Sequence, residues 1–156
     1  MASTAIVLIA GMVTPGYDPL LRTVSRLATA GIPAAGAVEA AICAVALALI
    51  GLALSLGPGG SSGRVLLGTA GVALLFAAAV RLDPSSPAST IGHRVATTVA
   101  MLALTAAPFL IAPTLGRRQG WRGYGLLSTV LGTATAALLL VGLALLPTTF
   151  SAWGAW

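Results

Sequence analysis

The chain has 156 residues, 58% of them hydrophobic before its 19 glycines are counted and 7% charged, with a mean hydropathy of +1.02. A soluble domain is ~45–50% apolar with glycine included and about 25% charged, so a solvated globule, a disordered tail, a disulfide scaffold and a nucleic-acid binder are all excluded. The net charge of +5 comes from eight arginines, without a lysine, set against three acids. They stand singly or in one small cluster between apolar runs, which is how topology-setting charges sit beside membrane spans and not how a phosphate-tracking groove is built.

In chain order, Ala5–Pro15 comes first. It is apolar but covers about half of a ~30 Å bilayer core, which takes ~20 helical residues to cross. A signal peptide is the rival reading of such a start. No basic region precedes the run and no small-x-small cleavage site follows it, so the segment is read as a short first span near residues 3–16. Asp18-Pro19 then has the form of an N-cap followed by proline at the first helical position. Leu20, Val24, Leu27 and Ala28 fall on one side and Arg22, Ser25, Arg26 and Thr29 toward the other, until Gly31 and Pro33 end the pattern. This predicts a short amphipathic helix over Pro19–Ala30, lying at the membrane interface.

Ala34–Leu56 is long enough to span and holds one charge, Glu39, together with the sole cysteine, Cys43, read as a small core hydrophobe. The Gly/Pro/Ser-rich tract Gly57–Gly63 cannot continue a helix and predicts a tight turn, making the second and third spans a helical hairpin. Val65–Val80 is short, but Arg64 and Arg81 flank it and can snorkel outward, giving a span near 64–82. Val95–Leu115 and Leu126–Leu146 complete the set. Between them lies a hydrated loop, Gly116–Gly125, in which Arg117, Arg118 and Arg122 surround the aromatic anchors Trp121 and Tyr124. Pro108 and Pro113 are expected to bend or loosen the end of the fourth span. Small residues recur at every fourth position in Gly36, Ala40, Ala44 and Ala48, and again in Ser128, Gly132 and Ala136, as helix contacts in lipid require. The expected fold is all-α: one domain over 1–156, a polytopic transmembrane bundle of about five spans with a short interfacial helix.

Alternating spans divide the loops into two sides with four arginines each: Arg22, Arg26, Arg81 and Arg94 against Arg64, Arg117, Arg118 and Arg122. The cluster of three in one short loop points that side to the cytoplasm, and the N-terminus with it. The three acids and the single histidine all belong to the other side. Asp83 and His93 bracket a loop there, Ser25 and Arg22 lie in the first loop, and Glu39 stands about five residues into its helix, ~8 Å from the start. Intramembrane ionisable residues are functional candidates by default. Each also has a plain structural reading: Asp18 caps a helix, Asp83 before Pro84 caps a turn, His93 sits among headgroups, and Glu39 pairs with Arg22 or Arg26. Ser25, His93 and Asp83 have the residue types of a hydrolytic triad, although no nucleophile-elbow glycine motif surrounds Ser25. No metal-ligand spacing, dinucleotide motif or P-loop is present, so no metal or cofactor is expected.

The run from Pro15 through Ala28, Pro-Gly-Tyr-Asp-Pro-Leu-Leu-Arg-Thr-Val-Ser-Arg-Leu-Ala, resembles the first loop of the bacterial multi-pass membrane family catalogued as domain of unknown function 998. Arg81-Leu82-Asp83-Pro84 followed by Gly92-His93 is similar to that family's later Asp-Pro…His loop. The resemblance implies a bacterial inner-membrane protein with Ser25, Asp83 and His93 at the family-like positions. It also implies a usually longer chain, commonly with a sixth helix, and a Phe-Pro where this sequence has Arg81-Leu82. The resemblance leaves function open; the reading that asks least of the residues is a small helical bundle binding a membrane lipid or a membrane-protein partner. The alternative is a membrane enzyme acting on a lipid or amphiphile at the outer interface through His93, Asp83 and Ser25, with Arg22 and Glu39 as binding candidates. A transporter is disfavoured by the lack of inverted repeats.

Overall fold

The computed structural model describes residues 2–17, 24–29, 31–56, 61–81, 83 and 85–153, with Ser61 and 145–153 described by backbone alone. Those residues form five α-helices and one 3₁₀ turn: α1 (Ala2–Val13), the 3₁₀ turn Val24–Ala28, α2 (Ala35–Ser55), α3 (Ser61–Ala79), α4 (Pro87–Arg117) and α5 (Arg122–Trp153). Among the described residues there is no strand, as backbone that must satisfy its own hydrogen bonds inside lipid requires. Helices α2 to α5 are long and apolar enough to cross a membrane. Helix α1 has 12 residues, about 18 Å at 1.5 Å per residue, so the expected first span is present as an apolar helix that by itself reaches little more than halfway.

Each helix packs on its neighbours in the chain: α1 on α2, α2 on α3, α3 on α4 and α4 on α5. The seams follow the sites where side chains are smallest. A Cβ on Gly71 would lie 2.7 Å from the Ala46 carbonyl oxygen, and one on Gly125 would lie 2.9 Å from that of Ala112. Backbone therefore meets backbone at the α2–α3 and α4–α5 crossings, the arrangement that favours association where lipid removes any hydrophobic drive. Two members of the Ser128, Gly132, Ala136 ladder line the α4–α5 seam: Gly132 meets Pro108 and Phe109, and the Ser128 hydroxyl donates to the Pro108 carbonyl at 3.0 Å. The other ladder does not. Gly36, Ala40, Ala44 and Ala48 are exposed, and α2 buries Ala35, Val38, Ala41, Ala46 and Ala53 instead. Four-residue spacing of small residues cannot by itself tell a seam from a lipid-facing stripe in so alanine-rich a helix.

Several boundaries differ from the sequence reading: α5 already starts at Arg122, so the expected Gly116–Gly125 loop is reduced to Arg118–Trp121. Helix α3 starts at Ser61, so the last three residues of the expected Gly57–Gly63 turn are helical, and 57–60 lie outside the described residues. Helix α4 starts at Pro87, two turns before the expected Val95. Ser86 caps it by accepting from the Ser89 amide at 3.3 Å, with Pro87 in the first turn, where its missing N–H costs nothing. The helix then runs through Pro108 and Pro113 to Arg117. The expected interfacial helix is replaced, where it is described, by a 3₁₀ turn whose Leu27 and Ala28 are buried against Ala10 of α1 and Val38 of α2. It is tucked into the fold, not laid on its surface. The Asp18 cap and Arg22 lie outside the described residues.

Candidate functional site

The start of α2, the end of α3 and the start of α4 meet at one end of the array, because α2–α3 and α3–α4 are sequential hairpins. The loop between α3 and α4 is tied down by hydroxyls. Ser89 Oγ donates to the Arg81 carbonyl at 2.7 Å, Thr90 Oγ1 donates to that of Asp83 at 2.7 Å, and the Ser86 amide reaches the same Asp83 oxygen at 3.0 Å. These bonds hold the last turn of α3 against the second turn of α4, where His93 stands. His93 is therefore a buried helical residue, 6% exposed, and not the closing residue of a loop.

Its ring is bonded at both nitrogens. Nδ1 lies 2.8 Å from the Ala77 carbonyl oxygen and 2.9 Å from that of Val80. A carbonyl can only accept, so Nδ1 carries the hydrogen and shares it between the two oxygens. These belong to the final turn of α3, where carbonyls lack helical partners; the imidazole caps that helix from the side. In the neutral ring Nε2 is then an acceptor, and the Ser25 hydroxyl donates to it at 3.0 Å. The bond reaches across 68 residues and fastens the 3₁₀ turn, with Leu27 seated in its core, to the α3–α4 corner.

Glu39, one turn into α2, pairs with Arg81 just past α3. Arg81 Nη2 donates to Oε2 at 2.7 Å, while its Nε faces the buried Oε1 without hydrogen-bond alignment. Of the arginines expected beside Glu39, Arg22 lies outside the described residues; the ion pair the structure shows is with Arg81, delivered by the neighbouring helix end. Half of Arg81 is exposed against 17% of Glu39, so the pair adds little to stability by itself and chiefly makes a partly buried carboxylate tolerable.

Asp83 stands apart from the histidine. Its Oδ1 accepts from the Ser85 amide at 2.8 Å and the Ser85 hydroxyl at 2.6 Å, a local turn of the kind Asp forms before proline. Those two donors, the hydroxyl foremost, hold its carboxyl below the ordinary value. Of the expected triad, Ser25 and His93 are brought together, and the place of the carboxylate at Nδ1 is taken by two backbone carbonyls. Sequence reading could not supply those carbonyls, since any residue carries one. It could have supplied Arg81, which ends the hydrophobic run on the same side as Glu39.

At the other end, Arg118 Nη2 donates to the Leu56 carbonyl at 3.3 Å, linking the close of α4 to the close of α2. The Trp121 and Tyr124 rings sit 5.1 Å apart, tilted at 42°. Clefts open between helices among the described residues. One of about 680 Å³ follows α3 and α4 and is walled by Val72, Phe76, Gly92, Val95 and Val99. A second, of about 460 Å³, lies between α4 and α5 with Arg122 in its wall.

Over its whole length, residues 1–156, the chain matches the family described as Protein of unknown function (DUF998), and it belongs to that family. No curated protein and no solved structure is significantly similar to it.

Proposed function

We propose that this DUF998 member is a non-enzymatic integral membrane protein whose helical bundle holds a membrane lipid between its helices, in a bacterial cell membrane. The observation that carries the reading is the α3–α4 cleft. Its volume of about 680 Å³ falls in the ~300–1,000 Å³ range of small-molecule sites, and its walls are almost wholly apolar, with Thr69 the one hydroxyl. Such a groove suits an acyl chain better than a polar metabolite. The polar end argues for structure first: both ring nitrogens of His93 are occupied in joining α3, α4 and the 3₁₀ turn. Native mass spectrometry of the protein released from mild detergent tests this. Lipid should stay bound, and Gly92→Leu, which projects a side chain into the cleft near Phe76, should lower the number retained. Protein that is free of lipid, or a Gly92→Leu variant that retains as much as the parent, overturns the reading.

A second reading, a membrane enzyme acting on an ester-containing amphiphile, is favoured by the Ser25–His93 bond. In that reading Ser25 Oγ attacks the ester carbonyl while His93 Nε2 takes its proton and passes it to the departing alcohol; water then cleaves the acyl-serine. The Ala77 and Val80 carbonyls fix the tautomer and the ring plane, as the triad's carboxylate does elsewhere. A fluorophosphonate probe separates the two. Labelling at Ser25 that vanishes in His93→Gln supports catalysis, and an unlabelled Ser25 in folded protein removes it.

A further inference from the structure

Four arginines belong to the end where α3 begins, α4 closes and α5 begins: Arg64, Arg117, Arg118 and Arg122. The described carboxylates, Glu39 and Asp83, lie at the opposite end, where the first is held by Arg81 and the second by Ser85. Arg118 is engaged with the Leu56 carbonyl; Arg64, Arg117 and Arg122 have no carboxylate beside them among the described residues. Among the described residues, then, no acidic side chain compensates the positive charge here. Directly beneath it the α4–α5 cleft opens, about 460 Å³, with Arg122, Phe109, Pro113 and Leu126 among its walls. It borders the close crossing where Gly125 meets the backbone of Ala112 and Gly116, all three of which line it. Trp121 and Tyr124 stack at the same level, where aromatic rings mark the headgroup zone.

We infer that this end is a site for one anionic phospholipid, its phosphate on Arg122 and Arg117 and one acyl chain laid in the α4–α5 cleft. A guanidinium presents paired N–H groups to phosphate oxygens, and the cleft supplies the apolar trough such a headgroup needs directly below it. A zwitterionic lipid would fill the trough equally well but would bring its own cation to a site that is already positive. The inference rests on the lipid-holding reading above and adds headgroup selectivity and a second place for it.

The test uses the full-length chain reconstituted in vesicles of equimolar phosphatidylglycerol and phosphatidylcholine with identical acyl chains. It is extracted in mild detergent, and the lipids retained are counted by native mass spectrometry. The parent should carry phosphatidylglycerol in excess. Arg122→Gln should reduce that excess about fivefold, the size of one surface guanidinium's attraction to anionic lipid. Thr129→Phe, which fills the cleft and leaves the arginines in place, should reduce it as well. Arg94→Gln, exposed at the opposite end, should leave it unchanged. Equal retention of the two lipids by the parent overturns the headgroup site while leaving lipid holding intact, and so does an Arg122→Gln variant that behaves like the parent. Retention of no lipid at all overturns both.

Discussion

At one end of the array, the described acids and the histidine are all engaged: Glu39 takes Arg81, Asp83 takes Ser85, and His93 satisfies two carbonyls and one hydroxyl. At the other, Arg64, Arg117 and Arg122 face no carboxylate among the described residues, and the helices meet through glycine backbone at Gly125. The sequence gives both ends four arginines, so charge number alone does not distinguish them. The difference lies in where the acids fall. At the first end a described carboxylate meets a described arginine, Glu39 with Arg81; at the second no described carboxylate stands near the arginines. The burial of the helices differs too: 33% of the membrane-crossing window of α4 is buried but 6% of that of α5, because α4 packs on both α3 and α5 whereas α5 packs on α4 alone.

The comparison can be broken outright by topology. Cysteines at Ser62 and Gln119 in a Cys43→Ala background should share one side, and one at Ser85 should take the other. If the arginine-rich end is cytoplasmic, as the cluster predicts, an impermeant thiol reagent applied to intact cells labels Ser85→Cys alone. Labelling of all three would separate residues the fold holds at opposite ends.

Next in size is His93→Ala. It strips the cap from the Ala77 and Val80 carbonyls and the acceptor from Ser25 together, and should cost about 2–3 kcal/mol, the penalty of buried groups left unsatisfied. Thermal unfolding in detergent would read it, and hydrogen exchange should quicken around residues 76–93 before it does in α5. Gly125→Ala strikes the other end. A methyl aimed 2.9 Å from the Ala112 oxygen must push α4 and α5 apart, costing roughly 1–3 kcal/mol, with exchange quickening in α5 alone. If both substitutions loosened the same helices, the two ends would not be independent.

Ser25→Ala removes one bond of the His93 set and should cost about 0.6–1.5 kcal/mol, in the range of polar contacts between membrane helices. The smallest effect belongs to Asp83. Its carboxyl is held below the ordinary 3.8 by Ser85, so the stability it lends is present above that value and is lost as pH falls through its lower, folded one. Because the group is exposed, Asp83→Asn should barely move the melting point at neutral pH. It should remove a small acid-side decline below about pH 4, seen in a pH series of melts.

Hydropathy made the helices legible, since runs such as Val65–Val80 and Leu126–Leu146 allow no other structure in lipid. It misplaced the start of α4 because Ala88–Arg94 is polar; Ser86-Pro87 has the form of a cap followed by proline and is the signal that marks the true start. Grouping Ser25 with His93 was within reach of sequence because alternating spans put both loops on one side. Placing Asp83 with them was not justified by that alternation: a carboxylate two residues from a serine amide satisfies itself locally before it can reach a ring. For the Glu39–Arg81 pair the shared side was legible from the alternation of spans, while the contact itself depended on which helices adjoin, about which periodicity carries no information.

The reach of the Ser25–His93 bond has a consequence in time. Helices that pack on their chain neighbours can assemble as they are made, each completing a hairpin with the one before. The bond cannot. Ser25 must wait while 68 further residues are synthesised, about 3–14 s at ~5–20 residues per second. During that interval the 3₁₀ turn and the carbonyl end of α3 lack their common fastener. The delivery of α4 is thus the event that locks the first half of the molecule, and a nascent chain halted before residue 93 would expose the very groups that the finished protein hides.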